Sequence, residues 1–175
     1  MFTNKARILV TGLFVILLAI ILKLKVYELA AVAVLFIALL IWGYFKQGTI
    51  VLAAKAFHQK DYTKAESLLK QIARPDWLSK KRRGFYEFIY GGVCLQKQEY
   101  KEAELHYELA AQYPLRSAND HVAALVHVAN INVRNGNYDK AQAYLQLAEK
   151  HKEHITAKMK DVILKVEQEL KKHTK

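Results

Sequence analysis

The chain has 175 residues with 27 Lys or Arg against 16 Asp or Glu, a formal net charge of +11, and one cysteine, Cys94. A single cysteine excludes an intrachain disulfide and a cysteine-rich zinc site, and fits a reducing compartment. The charge is unevenly spread: between Ile8 and Phe45 the charged groups are Lys23, Lys25 and Glu28, whereas from Lys46 onward there are 23 Lys or Arg and 15 Asp or Glu. Two regions facing different surroundings follow from that contrast, with a boundary near Lys46 and a basic soluble domain beyond it, long enough for its own core.

The first apolar run, Ile8 to Leu22, holds twelve Ile, Leu, Val or Phe residues. At bilayer-insertion values it gains roughly 4 to 7 kcal/mol. Fifteen residues are short of the about 20 that a span takes, a shortfall that snorkelling of Lys5, Arg7, Lys23 and Lys25 would make up. A second run, Leu29 to Phe45, follows after a tight turn and ends in Trp42, Tyr44 and Phe45, aromatics suited to an interface. The pair is expected to form a transmembrane hairpin over residues 1–46, with spans at about 8–22 and 29–45. A cleaved signal peptide is the competing reading, but Lys23 and Lys25 stand where small residues belong. Basic residues before and after the pair predict a multi-pass protein of the inner cell membrane, with both termini and the following domain cytoplasmic.

Beyond the boundary, three segments align without gaps: KDYTKAESLLKQI from Lys60, QEYKEAELHYELA from Gln98 and GNYDKAQAYLQLA from Gly136. Tyr62, Tyr100 and Tyr138 are 38 residues apart, as are Ala65, Ala103 and Ala141. A period near 40 with helical spacing of apolar residues means stacked helix pairs. The second helix of each pair begins near its Tyr, with Thr63 and Glu66 as a capping box in the first and Asp139 favouring the start of the third. First helices are expected at about Thr49 to Gln59, Gly84 to Lys97 and Asp120 to Asn135, with Ala53, Gly91 and Ala129 where helices approach closely. Pro75 and Pro114 punctuate the links. Ile155, Met159, Val162, Ile163, Val166 and Leu170 mark an amphipathic closing helix over about 155–172.

The Tyr, Ala and large-apolar spacing of these blocks resembles the tetratricopeptide repeat (TPR), and the two-run start followed by repeats resembles bacterial inner-membrane TPR proteins of the HemY type. The resemblance implies an all-α fold: the hairpin, then over 47–175 an α-solenoid of three TPR-like pairs (about 49–74, 84–113 and 120–150) and a capping helix. It also implies that first helices line an inner surface for protein partners. In this chain the surface would carry Ile50, Phe57, Phe85, Phe88, Leu95, Val126, Asn130 and Arg134, apolar at one end and polar at the other, fit for an amphipathic or extended apolar segment.

The run Lys80, Lys81, Arg82, Arg83, together with Trp77, Arg116, Lys150 and Lys152, falls in links that a hairpin tether would turn toward the bilayer. Anionic lipid headgroups are therefore one expected contact, with a solvated charge run as the plain alternative; the placement speaks against nucleic acid. Nothing suggests catalysis or a cofactor. The seven histidines are scattered, Cys94 falls at an inward helix position, and no Gly-rich phosphate loop or G-x-S-x-G occurs. The expectation is a non-enzymatic, membrane-anchored TPR adaptor or scaffold without cofactors or metals. The alternative is a structural accessory subunit of a larger membrane complex.

Overall fold

The computed structural model describes residues 4–47 and 49–173, and within them the regular structure is helical. Helix α1 (Asn4–Lys23) and helix α2 (Tyr27–Gln47) form an antiparallel hairpin, turned at Lys25 with φ of 58°. Their mutual seam follows a heptad-like spacing: Thr11, Phe14, Leu18 and Ile21 on α1, and Ala30, Ala33, Ile37 and Leu40 on α2 are the less exposed positions. The Phe14 and Phe36 rings stack with centroids 5.8 Å apart. Elsewhere the hairpin shows large apolar side chains, among them Leu9, Leu13, Ile16, Leu35 and Leu39.

Among the described residues no helix is long and apolar enough to cross a membrane. This corrects the expectation of two spans and of a multi-pass inner-membrane protein. The apolar run of α1 is fifteen residues, and that of α2, with side chains described up to Gly43, also falls short of the about 20 that a bilayer core takes. Gly48, Thr174 and Lys175, and the side chains of Lys5, Arg7, Tyr44, Phe45 and Lys46, lie outside the described residues.

Three helix pairs follow: α3 (Ile50–His58) with α4 (Tyr62–Lys70), α5 (Lys80–Gln96) with α6 (Tyr100–Ala111), and α7 (Ala118–Arg134) with α8 (Tyr138–Glu149). Each second helix opens on the repeated Tyr. The turn within each pair is made the same way three times. Lys60, Gln98 and Gly136 take positive φ (61°, 63° and 76°). The next residue's N–H then reaches back five positions, Asp61 to Ala56, Glu99 to Cys94 and Asn137 to Asn132, each at 2.9 Å. This is the Schellman closure of a helix C-terminus, and it explains why the turns superpose at one period. Helix α4 is capped by Asp61, which accepts from the Lys64 N–H at 3.1 Å, so Thr63 lies inside the helix and does not cap it. Ser117 caps α7 by accepting from the Asp120 N–H at 3.1 Å.

The core lies where the two helices of each pair meet. Ala53, Ala65, Leu69, Ala103, Ala129 and Ala141 are fully buried, Leu69 contributing about 2 kcal/mol. Small residues bring the backbones close: a Cβ on Gly91 would sit 3.1 Å from the Tyr107 ring. The start of α5 corrects the sequence expectation, since the helix begins at Lys80 and not at Gly84. Gly84 is a contact point, where a Cβ would come 2.7 Å from Cβ of Tyr113. The basic first turn is held by Arg83, which pairs with Asp76 before the helix and with Glu87 one turn along it.

Helix α9 (Ala157–His173) closes the array. It buries Ile163, Val166 and Leu170 against Val122, Leu125, Val126 and Leu145. Displaced by 39 residues, Ile163 and Leu170 correspond to Ala124 and Ile131, with which α7 packs on the preceding pair. The positions matching Val122, Leu125, Ala129 and Val133, which α7 buries, are Asp161, Leu164, Gln168 and Lys172, all exposed. A largely polar outer face is what a capping helix needs.

Candidate functional site

The inner face of the array is formed by α3, α5 and α7. On α5, Lys81, Phe85 and Gln96 share the outward arc, and the matching residues one period on in α7 are Asn119, Ala123 and Arg134. Phe57, Phe85, Phe88 and Leu95 are half-buried, Asn130 is half-buried and Arg134 is exposed. Two residues expected on this surface are absent from it: Ile50 is 1% exposed and sits in the core between α3 and α5, and Val126 is 4% exposed beneath α9. Register alone could not separate them, because α9 turns the flank of α7 that bears Val126 into an interior.

The apolar side chains of the face are fixed from behind. Phe57 lies on α5 at Gly92, where a Cβ would be 2.5 Å from its ring, and its other edge meets Tyr62 with centroids 5.5 Å apart. Phe88 packs edge-on against Tyr107 at 5.7 Å. Behind Tyr107, His127 stacks at 4.5 Å, and burial holds its imidazole down at a pKa of about 4. His127 is therefore neutral near pH 7 and serves as an aromatic plate.

A buried carboxylate gave no clear sign in the sequence. Glu87 is 1% exposed. Its Oε1 is 2.6 Å from Nε of Arg83, its Oε2 meets Nδ1 of His106, and the His106 ring stacks on Tyr90 at 4.4 Å. The i,i+4 spacing of Arg83 and Glu87 was the available signal. The triad ties α5 to α6 behind the inner face. A second polar set joins α6 to the third pair: Asn132 donates to Glu104 at 2.8 Å, Tyr144 donates to Glu108 at 2.9 Å, and Lys140 pairs with both carboxylates.

Several of the basic and aromatic residues of the links are engaged by neighbours in the chain. Arg83 is engaged by Asp76 and Glu87, Lys152 pairs with Glu149 at 2.8 Å, and Trp77 is covered on one side by the Arg74 guanidinium at 4.7 Å. Lys80, Lys81, Arg116 and Lys150 are exposed. The expected bilayer contact of this set rests on a spanning tether, and no described helix is long and apolar enough to supply one.

Cys94 is 2% exposed among Ala103, Tyr107 and Ala124, and burial raises its thiol to a pKa of about 11, which keeps it protonated and unreactive. His121 and His151 meet edge-on at 5.0 Å.

The family model for the SusR N-terminal TPR domain matches residues 45–165, more than half of the chain. No curated protein and no solved structure matches it. The likeness to HemY-type architecture gains no support from these comparisons, whereas the repeat assignment does. The chain belongs to the SusR N-terminal TPR domain family.

Proposed function

We propose that this chain is a protein-interaction adaptor that takes an apolar segment of a partner on the inner face of its TPR array, and that it catalyses nothing. The observation that carries the reading is the half-buried set Phe57, Phe85, Phe88 and Leu95, in which Phe57 is held against Gly92 and Phe88 against Tyr107. Pre-positioned apolar side chains beside the polar Asn130 and Arg134 suit an amphipathic helix or an extended strand. A photocrosslinking residue in place of Phe88 is the direct test, with Leu105 on α6, 50% exposed on the outer layer, as its control. Capture of a discrete protein at Phe88 and not at Leu105 supports the adaptor. Equal capture at the two, or none at Phe88, removes it.

The apolar hairpin favours a second reading, in which the chain is a structural subunit of a larger protein complex and α1 and α2 are covered by other chains. An obligate subunit would not be recovered alone, so native mass measurement of the purified chain separates the two readings.

A further inference from the structure

Charge divides between the two layers of the array. The inner helices α3, α5 and α7 carry six Lys or Arg (Lys55, Lys80, Lys81, Arg82, Arg83 and Arg134) against two carboxylates, Glu87 and Asp120. Glu87 is buried on Arg83, and Asp120 stands in the first turn of α7. The outer helices α4, α6 and α8 reverse the balance, with four Lys against six Asp or Glu. Several outer carboxylates are already engaged: Glu66 meets Lys70 at 2.7 Å and Glu108 meets Lys140 at 2.9 Å. On the inner face, Lys81 and Arg134 are exposed and make no ion pair among the described residues.

We infer that the segment taken by the inner face is an acidic stretch of a protein partner, whose carboxylates meet Lys81 and Arg134 while its apolar side chains rest on Phe85 and Phe88. The inference rests on the adaptor reading and adds the partner's charge to it. Complementary charge of this kind steers encounter and rejects basic competitors. A protein segment is favoured over nucleic acid because the two cations stand on different helices with uncharged Gln96 and Asn130 also on the face, whereas a phosphate backbone needs a continuous row of cations.

The test uses the full chain and two labelled peptides of about fifteen residues with Leu at helical spacing, one with Glu and one with Gln at the remaining positions. Fluorescence anisotropy is expected to show the Glu peptide binding about tenfold more tightly, an advantage that shrinks between about 50 and about 300 mM salt. Lys81→Glu and Arg134→Glu should each abolish that advantage, and Lys101→Glu on α6 should leave it intact, circular dichroism showing unchanged helicity in all three. Equal binding of both peptides, lost in Phe85→Ala, would overturn the acidic partner and leave the adaptor standing. Binding of neither peptide would overturn both. Tighter binding of a single-stranded DNA of about fifteen nucleotides, with the same dependence on Lys81 and Arg134, would assign the face to nucleic acid instead.

Discussion

The Phe57 ring occupies the space that a side chain at position 92 would need: a Cβ on Gly92 would lie 2.5 Å from its Cζ and 2.7 Å from its Cε2. The first and second pairs are thereby locked through an absent methyl group.

Gly92→Ala therefore costs more than helix propensity returns. The added methyl gains up to about 1 kcal/mol of propensity, while overpacking costs about 1 to 3 kcal/mol, for a net loss of about 1 kcal/mol. In a Phe57→Ala background the clash is gone and the same change should stabilise. A double-mutant cycle by urea unfolding checks the sign reversal.

Truncating Glu87 strands two partners at once. Glu87→Ala leaves Arg83, 15% exposed, facing a cavity, and removes the acceptor of His106. A loss of about 3 kcal/mol is expected, the usual consequence of breaking a buried pair by removing one member. Asp76→Ala, which takes away only the exposed partner of Arg83, should cost less than about 1 kcal/mol. Thermal unfolding of the two variants side by side distinguishes a buried anchor from a surface pair.

Acid should weaken the fold through His127. Burial lowers its pKa in the folded chain to about 4, against 6.5 for an unperturbed imidazole, so the unfolded chain takes up a proton first as pH falls. Stability from this residue is full above pH 6.5 and is lost progressively down to pH 4, amounting to about 3 kcal/mol. His121, lowered mainly by burial and secondarily by His151, adds in the same direction. His127→Phe keeps an aromatic plate on Tyr107 and should flatten the acid limb of a stability-against-pH curve; an unchanged limb would assign it elsewhere.

The three turns contain their own control. Gly136 adopts positive φ without strain, whereas Lys60 and Gln98 adopt it with a Cβ. Lys60→Gly and Gln98→Gly should each stabilise by about 1 kcal/mol, and Gly136→Lys should destabilise by as much. Denaturant midpoints of the three variants read the effect directly.

Much of the array was legible because the period and the helix boundaries share one cause. Tyr62, Tyr100 and Tyr138 begin α4, α6 and α8 because each follows the same C-terminal closure. Two kinds of information were missing. Whether a residue on a first helix faces the groove or a neighbour depends on what packs beside it, so repeat register predicts Ile50 and Val126 on the surface, whereas α5 and α9 bury them. Glycine is ambiguous in the same way: Gly84 reads as a helix boundary in one dimension and is a close contact with Tyr113 in three. The hairpin misled for a different reason, since hydrophobicity per residue was high while the length was short of a span.

The two junctions of the array are fastened unequally. Between the second and third pairs, α6 is bonded through Glu104 and Glu108 to Asn132, Lys140 and Tyr144; between the first and second, the corresponding polar link is Glu66 to Lys97. A stacked array yields where its neighbours hold least, so the junction between the first and second pairs, packed by Phe57 on Gly92 but tied by fewer polar links, should open before the junction between the second and third. Amide exchange should report it by releasing α3 and α4 ahead of α7 and α8, and a ligand lying across Phe57 and Phe88 would close it like a clasp.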